Sequence, residues 1–151
     1  MIQEITIATN SDIPELIDLL TDLFTSDIEF KPNYNKQKTG LTQIINDANI
    51  GEILVLKIDN KIIGMVSLLY SISTALGGKV AIVEDMIIHT AYRNQGLGKF
   101  LLHHAIEYSK KNDCLRLTLL TDYDNEGAIN FYKKFGFTKS SMIPMRLFFD
   151  K

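Results

Sequence analysis

Cysteine occurs once, at Cys114. A lone thiol cannot form an internal disulfide, and no Cys/His cluster offers the ligand spacing of a zinc site, so a reducing cytoplasm and no metal are the expectation. Proline occurs three times, and the chain is 46% hydrophobic and 23% charged. That balance excludes the disordered and fibrous classes. There is no basic surplus either: Lys and Arg number 16 against 18 Asp and Glu, a formal net charge of −2. Binding to a polyanion needs a clustered basic surface, so nucleic acid is not an expected partner. No apolar run approaches the roughly 18 residues that span a bilayer. The opening MIQEITIATNSD has neither the basic nor the apolar region of a signal peptide, so no membrane partner is expected.

The 151 residues fit one domain, expected over 1–151, which at this size buries roughly 70% of the surface of its unfolded chain. Residues 2–9 alternate apolar and polar as a half-buried strand does, and the Thr9-Asn10-Ser11-Asp12 cluster and Pro14 then open a helix. A second helix is predicted over 36–49, closed by Gly51. Strands at 52–58 and 61–71 flank Asp59-Asn60, a pair suited to a tight hairpin turn, and a third strand covers 79–89. A helix of about 14 residues starts near Gly98 and stops at Asn112-Asp113. A strand at 114–120, a short helix at 126–135 and a final strand within 137–149 complete the order. Pro144 confines that last strand to an edge or breaks it.

The order β-α-α-β-β-β-α-β-α-β predicts an α/β (α+β) fold, a mixed and mostly antiparallel central sheet flanked by helices. The strand ending at His89 and the strand starting at Cys114 are joined by a helix and should be parallel neighbours.

The informative segment is Arg93-Asn94-Gln95-Gly96-Leu97-Gly98-Lys99, between a strand and a helix. The first helical turn leaves backbone N–H groups unpaired and carries partial positive charge, which suits a phosphate. Gly96 and Gly98 allow close approach to the backbone, and Arg93 and Lys99 add charge. A pyrophosphate is the expected guest. A Walker loop is excluded because Phe100 follows Lys99, and a dinucleotide fingerprint because Leu101 stands at its third glycine. Taken alone, the segment also reads as a glycine-containing turn before an ordinary helix.

Together with Asn125 and Tyr132 downstream and the run Phe131-Tyr132-Lys133-Lys134-Phe135-Gly136-Phe137, the spacing of Arg93, Gly96 and Gly98 resembles the GNAT N-acetyltransferase superfamily. The match is good over about 82–138, and the element order extends it to the whole chain. The resemblance implies acetyl-CoA as cofactor. It implies that the main chain of Met86, Ile87 and Ile88 meets the pantetheine arm and that the amides of Asn94 to Lys99 hold the pyrophosphate. Those being backbone roles, the side chains of Asn94, Gln95 and Leu97 are expected to vary freely. Asn125 is implied to touch the cofactor arm, and reads equally as the N-cap of the helix that follows it.

Acetyl transfer to an amine needs an uncharged nucleophile, a stabilised oxyanion and a proton for the departing thiolate. A lysine-like amine, with a pKa near 10.4, must first lose a proton. Glu84 is the candidate base: it interrupts the apolar run 80–83, and some superfamily members resemble this chain in carrying a Glu-Asp pair where Glu84-Asp85 stands. Strand alternation puts Glu84 on the face of Ile82, Met86 and Ile88, and Asp85 with Val83 and Ile87, so one of the two faces the amine. Either could instead pair with a Lys or Arg. Tyr132 is the acid that the resemblance implies; it also reads as a core aromatic beside Phe131 and Phe135.

His103-His104 and His89 carry no paired ligand and read as structural, and Cys114 as a small packed residue, which favours direct transfer over an acetyl-cysteine intermediate. Residues 1–50 hold eight acids against three bases, and residues 91–139 eight bases against five acids, consistent with an anionic cofactor bound by the second half. Asp27 and Glu29 are the candidates for receiving the acceptor, a primary amine of a small cationic molecule, and read otherwise as a solvated acidic face. The alternatives are a protein or peptide amine as acceptor, and a binding protein that senses acyl-CoA without turnover. A homodimer is compatible with the apolar stretch 142–149.

Overall fold

The hairpin at Asp59-Asn60 sets the register of the sheet. Both residues have positive φ, 49° and 68°, as a two-residue turn between right-twisted strands requires. In this computed structural model, which describes residues 2–27 and 29–149, the turn joins β2 (Gly51–Ile58) to β3 (Lys61–Ser73). The other strands are β1 (Gln3–Ile7), β4 (Gly78–Ile88) and β5 (Leu117–Leu119), and the sheet order is β1-β2-β3-β4-β5. All neighbours are antiparallel except β4 and β5, which run parallel at Ala81–Leu117 to Val83–Leu119. The predicted β-α-β unit is therefore formed, with a right-sized helix, α3 (Leu97–Lys111), as its crossover.

The chain parts into two compact units, residues 1–120 and residues 121–151. In the first, the sheet carries a core on each face. On one face α1 (Ile13–Thr25) and α2 (Tyr34–Ile45) bury Leu16, Leu20 and Leu41 against Ile53, Val55, Met65 and Ile87. On the other, α3 buries Leu97, Leu101 and Ala105 against Leu54, Val66, Leu68, Ala81 and Val83. The start of α1 is fixed by Thr9 and Asp12 rather than Ser11: the Asp12 carboxylate accepts from the Thr9 N–H at 2.8 Å. Asp12 also pairs with Lys57 at 3.5 Å, tying that start to β2. The α2 helix ends at Ile45, and Gly51 begins β2 instead of closing the helix.

A carboxylate links the second face together. Glu52 accepts from the Tyr70 hydroxyl at 2.8 Å and from the Tyr108 hydroxyl, joining β2, β3 and α3. Burial, then the Glu52 carboxylate, pushes both phenols up, Tyr108 to about 12.

The second unit holds α4 (Glu126–Lys133), which opens on Asn125 and closes on Gly136. Gly136 has φ +97°, and the bonds Gly136 N–H to Lys133 O and Phe137 N–H to Tyr132 O form a Schellman-type end that needs the left-handed residue. The final strand predicted within 137–149 is not formed: the described residues after Phe137 carry no helix or strand. Pro144 lacks the N–H that a ladder needs, and Met142, Ile143, Met145, Leu147, Phe148 and Phe149 are left 69–88% exposed.

Candidate active site

Past β4 the chain makes a short 3-10 turn, Thr90–Tyr92, and enters α3 through Gly96. Gly96 has φ +78°, and a Cβ there would meet nothing within 4 Å, so the glycine is demanded by backbone conformation with open space in front of it. Asn94 is also left-handed, at φ 63°. The first bond of the α3 helix runs from the Phe100 N–H to Gly96 O at 3.1 Å, so the N–H groups of Leu97, Gly98 and Lys99 precede the helical ladder and present themselves at its positive end. Arg93, exposed, is anchored by its Nε donating to Ile88 O at 2.9 Å, which fixes the stem of the guanidinium at the end of β4. Lys99 is exposed on the first turn. The donor set is backbone amides plus two cations around open space, and it fits a pyrophosphate.

Two of the side chains expected to vary freely are constrained. Leu97 is 8% exposed and belongs to the core under α3, and Asn94 occupies a conformation that few residues other than Gly, Asn and Asp adopt cheaply. Gln95 alone of the three is exposed without such a constraint. His89 is drawn into the same turn, its Nδ1 accepting from the Ala91 N–H at 3.1 Å.

The ladder between β4 and β5 ends at Val83–Leu119, while β4 runs on to Ile88 beside β3. In that extension lies the feature that strand alternation alone misses. Met65 pairs with Ile87 and Ser67 with Glu84, so two steps on β3 face three on β4, a β-bulge. Asp85 sits in it with φ 50°. The bulge shifts the alternation by one residue. Val83 lies in the core under α3 and Ile87 in the core under α1 and α2, whereas Met86 and Ile88 pack on the α3 side. The expected grouping of Asp85 with Val83 and Ile87, and of Glu84 with Met86 and Ile88, is thereby overturned. Asp85 reaches instead the groove between α1 and α2, which it lines together with Phe24, Gln37, Leu41 and Ile44.

Burial, and secondarily the charge of Glu84 beside it, raise the Asp85 carboxyl from 3.8 to about 6. Glu84 itself is exposed. Among the described residues the ion pairs are Lys57–Asp12 and Lys110–Glu107, so neither Glu84 nor Asp85 is neutralised by a Lys or Arg. Asp27 is engaged locally: its Oδ1 accepts from the N–H groups of Glu29 and Phe30 at 2.7 and 3.0 Å, shaping the loop after α1. Neither Asp27 nor the exposed Glu29 lines the groove, whose rim carries Lys31 and Lys36.

In the second unit, the Asn125 side chain accepts from the Ala128 N–H at 3.0 Å and is the N-cap of α4. Tyr132 lies in an aromatic cluster with Phe131 and Phe137, at ring separations of 5.3 and 5.7 Å, and burial raises its phenol. Cys114 is half-buried, which pushes its thiol up, as suits a packed residue. His103 and His104 are exposed on α3. Among the described residues no group of three or more His, Cys, Asp or Glu could hold a metal ion, and no helix is long and apolar enough to cross a membrane.

The profile of the acetyltransferase (GNAT) family matches residues 13–137. The glucosamine 6-phosphate N-acetyltransferase of Trypanosoma brucei brucei is 33% identical over 78 residues, 51% of each chain. Streptothricin acetyltransferase A of Bacillus subtilis is 42% identical over 57 residues, 38% of this chain and 33% of that one. The chain thus spans about a third to a half of the length of these curated relatives. Among solved structures, an acetyltransferase of Trypanosoma brucei superposes with a TM-score of 0.75 at 25% identity, covering 98% of this chain and 100% of that one. A possible acetyltransferase of Clostridium difficile reaches a TM-score of 0.90 over 100% of both chains at 14% identity, a likeness of fold alone.

Proposed function

Since the chain belongs to the acetyltransferase (GNAT) family, we propose that residues 1–151 act as one domain transferring acetyl from acetyl-CoA to the primary amine of a small molecule. The observation that carries this reading is the start of α3, where left-handed Gly96 has open space at its Cβ position and the N–H groups of Leu97, Gly98 and Lys99 precede the helical ladder, flanked in sequence by exposed Arg93 and Lys99. When bound, acetyl-CoA supplies an activated thioester, whose acetyl carbon forms the new amide bond as its bond to sulfur breaks.

The chain's own residues then have three tasks. The α3 amides, with Arg93 and Lys99, hold the pyrophosphate, and the main chain of Met86 to Ile88 aligns the arm. The Glu84-Asp85 pair receives the proton that the ammonium must lose. Asp85 is the member lining the groove, and a carboxylate raised to about 6 lies roughly 2 units closer to the ammonium than an ordinary one. Each unit lowers the cost of transfer by about 1.4 kcal/mol. Tyr132, whose phenol burial keeps protonated, is assigned to protonate the departing sulfur and to be replenished by solvent. Asn125 is assigned a contact with the cofactor arm through whatever capacity its cap bond leaves. A cytoplasmic setting and a homodimer through 142–149 belong to the same proposal.

The test is thiol release from acetyl-CoA by the purified protein, followed with a panel of small amines, peptides and protein N-termini. Release that depends on an amine, with an amide product by mass, is expected. Binding of acetyl-CoA with no release for any acceptor would make the protein a sensor of acyl-CoA instead.

A further inference from the structure

The groove between α1 and α2 has a volume of about 250 Å³, below the roughly 300–1,000 Å³ of pockets for drug-sized ligands. It has room for a compact molecule. Most of its lining is apolar, including Leu20, Phe24, Leu41 and Ile44. Charged side chains of both signs complete the lining. Asp85 supplies a carboxylate that no cation neutralises among the described residues, and Lys31 and Lys36 stand exposed on the rim.

Gln37 adds a polar group that the packing of the chain does not satisfy. It is 8% exposed, on a helix otherwise open to solvent along most of its length. Its Oε1 is fixed, accepting from the Asn33 N–H at 3.1 Å in reciprocal capping of the α2 start, where Asn33 Oδ1 accepts from the Lys36 N–H at 3.0 Å. With the oxygen held there, the amide nitrogen is the remaining donor of the side chain. Gln37 Nε2 is buried and has no hydrogen-bond partner, and Gln37 lines the groove. A buried donor without an acceptor is costly in a folded protein, and on a residue that borders a groove a ligand can supply the acceptor.

We propose that the acceptor is a small zwitterion, an amino acid with a large apolar side chain: its ammonium at Asp85, its carboxylate at the Gln37 amide and Lys36, its side chain against Phe24, Leu41 and Ile44. This rests on the acetyl-transfer reading above. The pairing is complementary in all three parts, anion to cation, acceptor to buried donor and apolar to apolar. A polyamine would leave the Gln37 donor unmet and place its second cation near Lys31 and Lys36. The acidic residues of the first fifty, Asp27 and Glu29 included, do not enter the choice, because neither of those two lines the groove.

The test compares phenylalanine and leucine with phenethylamine and isoamylamine, which lack only the carboxylate, and with spermidine. Saturation-transfer NMR and thermal shift on the protein alone report binding, and thiol release from acetyl-CoA reports turnover. Phenylalanine is expected to exceed phenethylamine at least about tenfold in kcat/KM, through KM, since one hydrogen-bonded charged group is worth about that much. Gln37→Glu retains an acceptor for the Asn33 N–H but removes the donor and adds negative charge, so it should erase or reverse the preference for phenylalanine over phenethylamine. Lys36→Ala should narrow the preference without abolishing it. Preference for spermidine or for the decarboxylated amines, or an unchanged preference in Gln37→Glu, overturns the zwitterion assignment and leaves acetyl transfer standing. Exclusive acetylation of peptides overturns it as well. Failure to bind acetyl-CoA removes the underlying reading and this one with it.

Discussion

The two ends of the candidate site are built from different materials. At the start of α3 the proposed binding groups are main-chain amides, next to left-handed Asn94 and Gly96, and the side chains mostly serve packing or add charge. In the groove between α1 and α2 the groups are side chains from separate elements: Asp85 from β4, Gln37 and Lys36 from α2. A backbone site depends on conformation and tolerates many side chains, so it recurs as a short pattern. A side-chain site depends on what each element brings, so it is free to specify a particular acceptor.

The largest expected effect is on the side-chain end. Asp85→Asn keeps a residue that tolerates the left-handed bulge but removes the proposed base, and kcat/KM should fall by about 10²–10³. The acidic limb of the pH profile, which in the native protein should bend near 6, should disappear in that variant. Retention of the limb would move base catalysis to Glu84 or to water. Tyr132→Phe comes next: about a hundredfold lower kcat with acetyl-CoA affinity unchanged in calorimetry, while an unchanged kcat removes Tyr132 as the acid. At the backbone end, Gly96→Val forces a β-branched residue to φ +78°, and acetyl-CoA should bind about tenfold more weakly or worse, with groove ligands unaffected by NMR.

A smaller effect is thermodynamic. The Asp85 carboxyl is raised in the folded state, so its contribution to stability is present in full below about 3.8 and is lost as pH rises through about 6. Asp85→Asn should therefore be more stable than the native protein at pH 7.5, by about 1–2 kcal/mol after allowance for partial exposure. The advantage should shrink toward zero at pH 4, as read by urea unfolding. Smallest of all is Gln95→Ala, which should change neither acetyl-CoA affinity nor unfolding beyond about 0.5 kcal/mol, in contrast to buried Leu97. A large effect at Gln95 would break the division between backbone and side-chain ends.

Legibility in the sequence follows the same division. The hairpin at Asp59-Asn60, the parallel pair β4 and β5 and the Gly96 turn rest on local rules, and all three could be read from short stretches. The bulge at Asp85 could not, because nothing in Val83-Glu84-Asp85-Met86 breaks the strand pattern, and the extra residue is visible only against β3. Gln37 gave no signal either, being one polar residue on a polar helix. The Glu52 link to Tyr70 and Tyr108 joins residues 18 and 56 positions apart and is a product of tertiary packing. The strand expected near the C-terminus fails where Pro144 interrupts an apolar run whose period suits a ladder but whose donors do not.

Position 85 also limits how this protein can vary. With the backbone held at φ 50°, a full substitution scan should return a stepwise result rather than a gradient. Asn and Gly would keep the shape of the groove and lose the chemistry. Bulkier residues, and Glu in particular, would retain the charge only by straining the bulge. A carboxylate one methylene longer is usually the gentlest replacement for Asp, and here it should rank among the harsher ones.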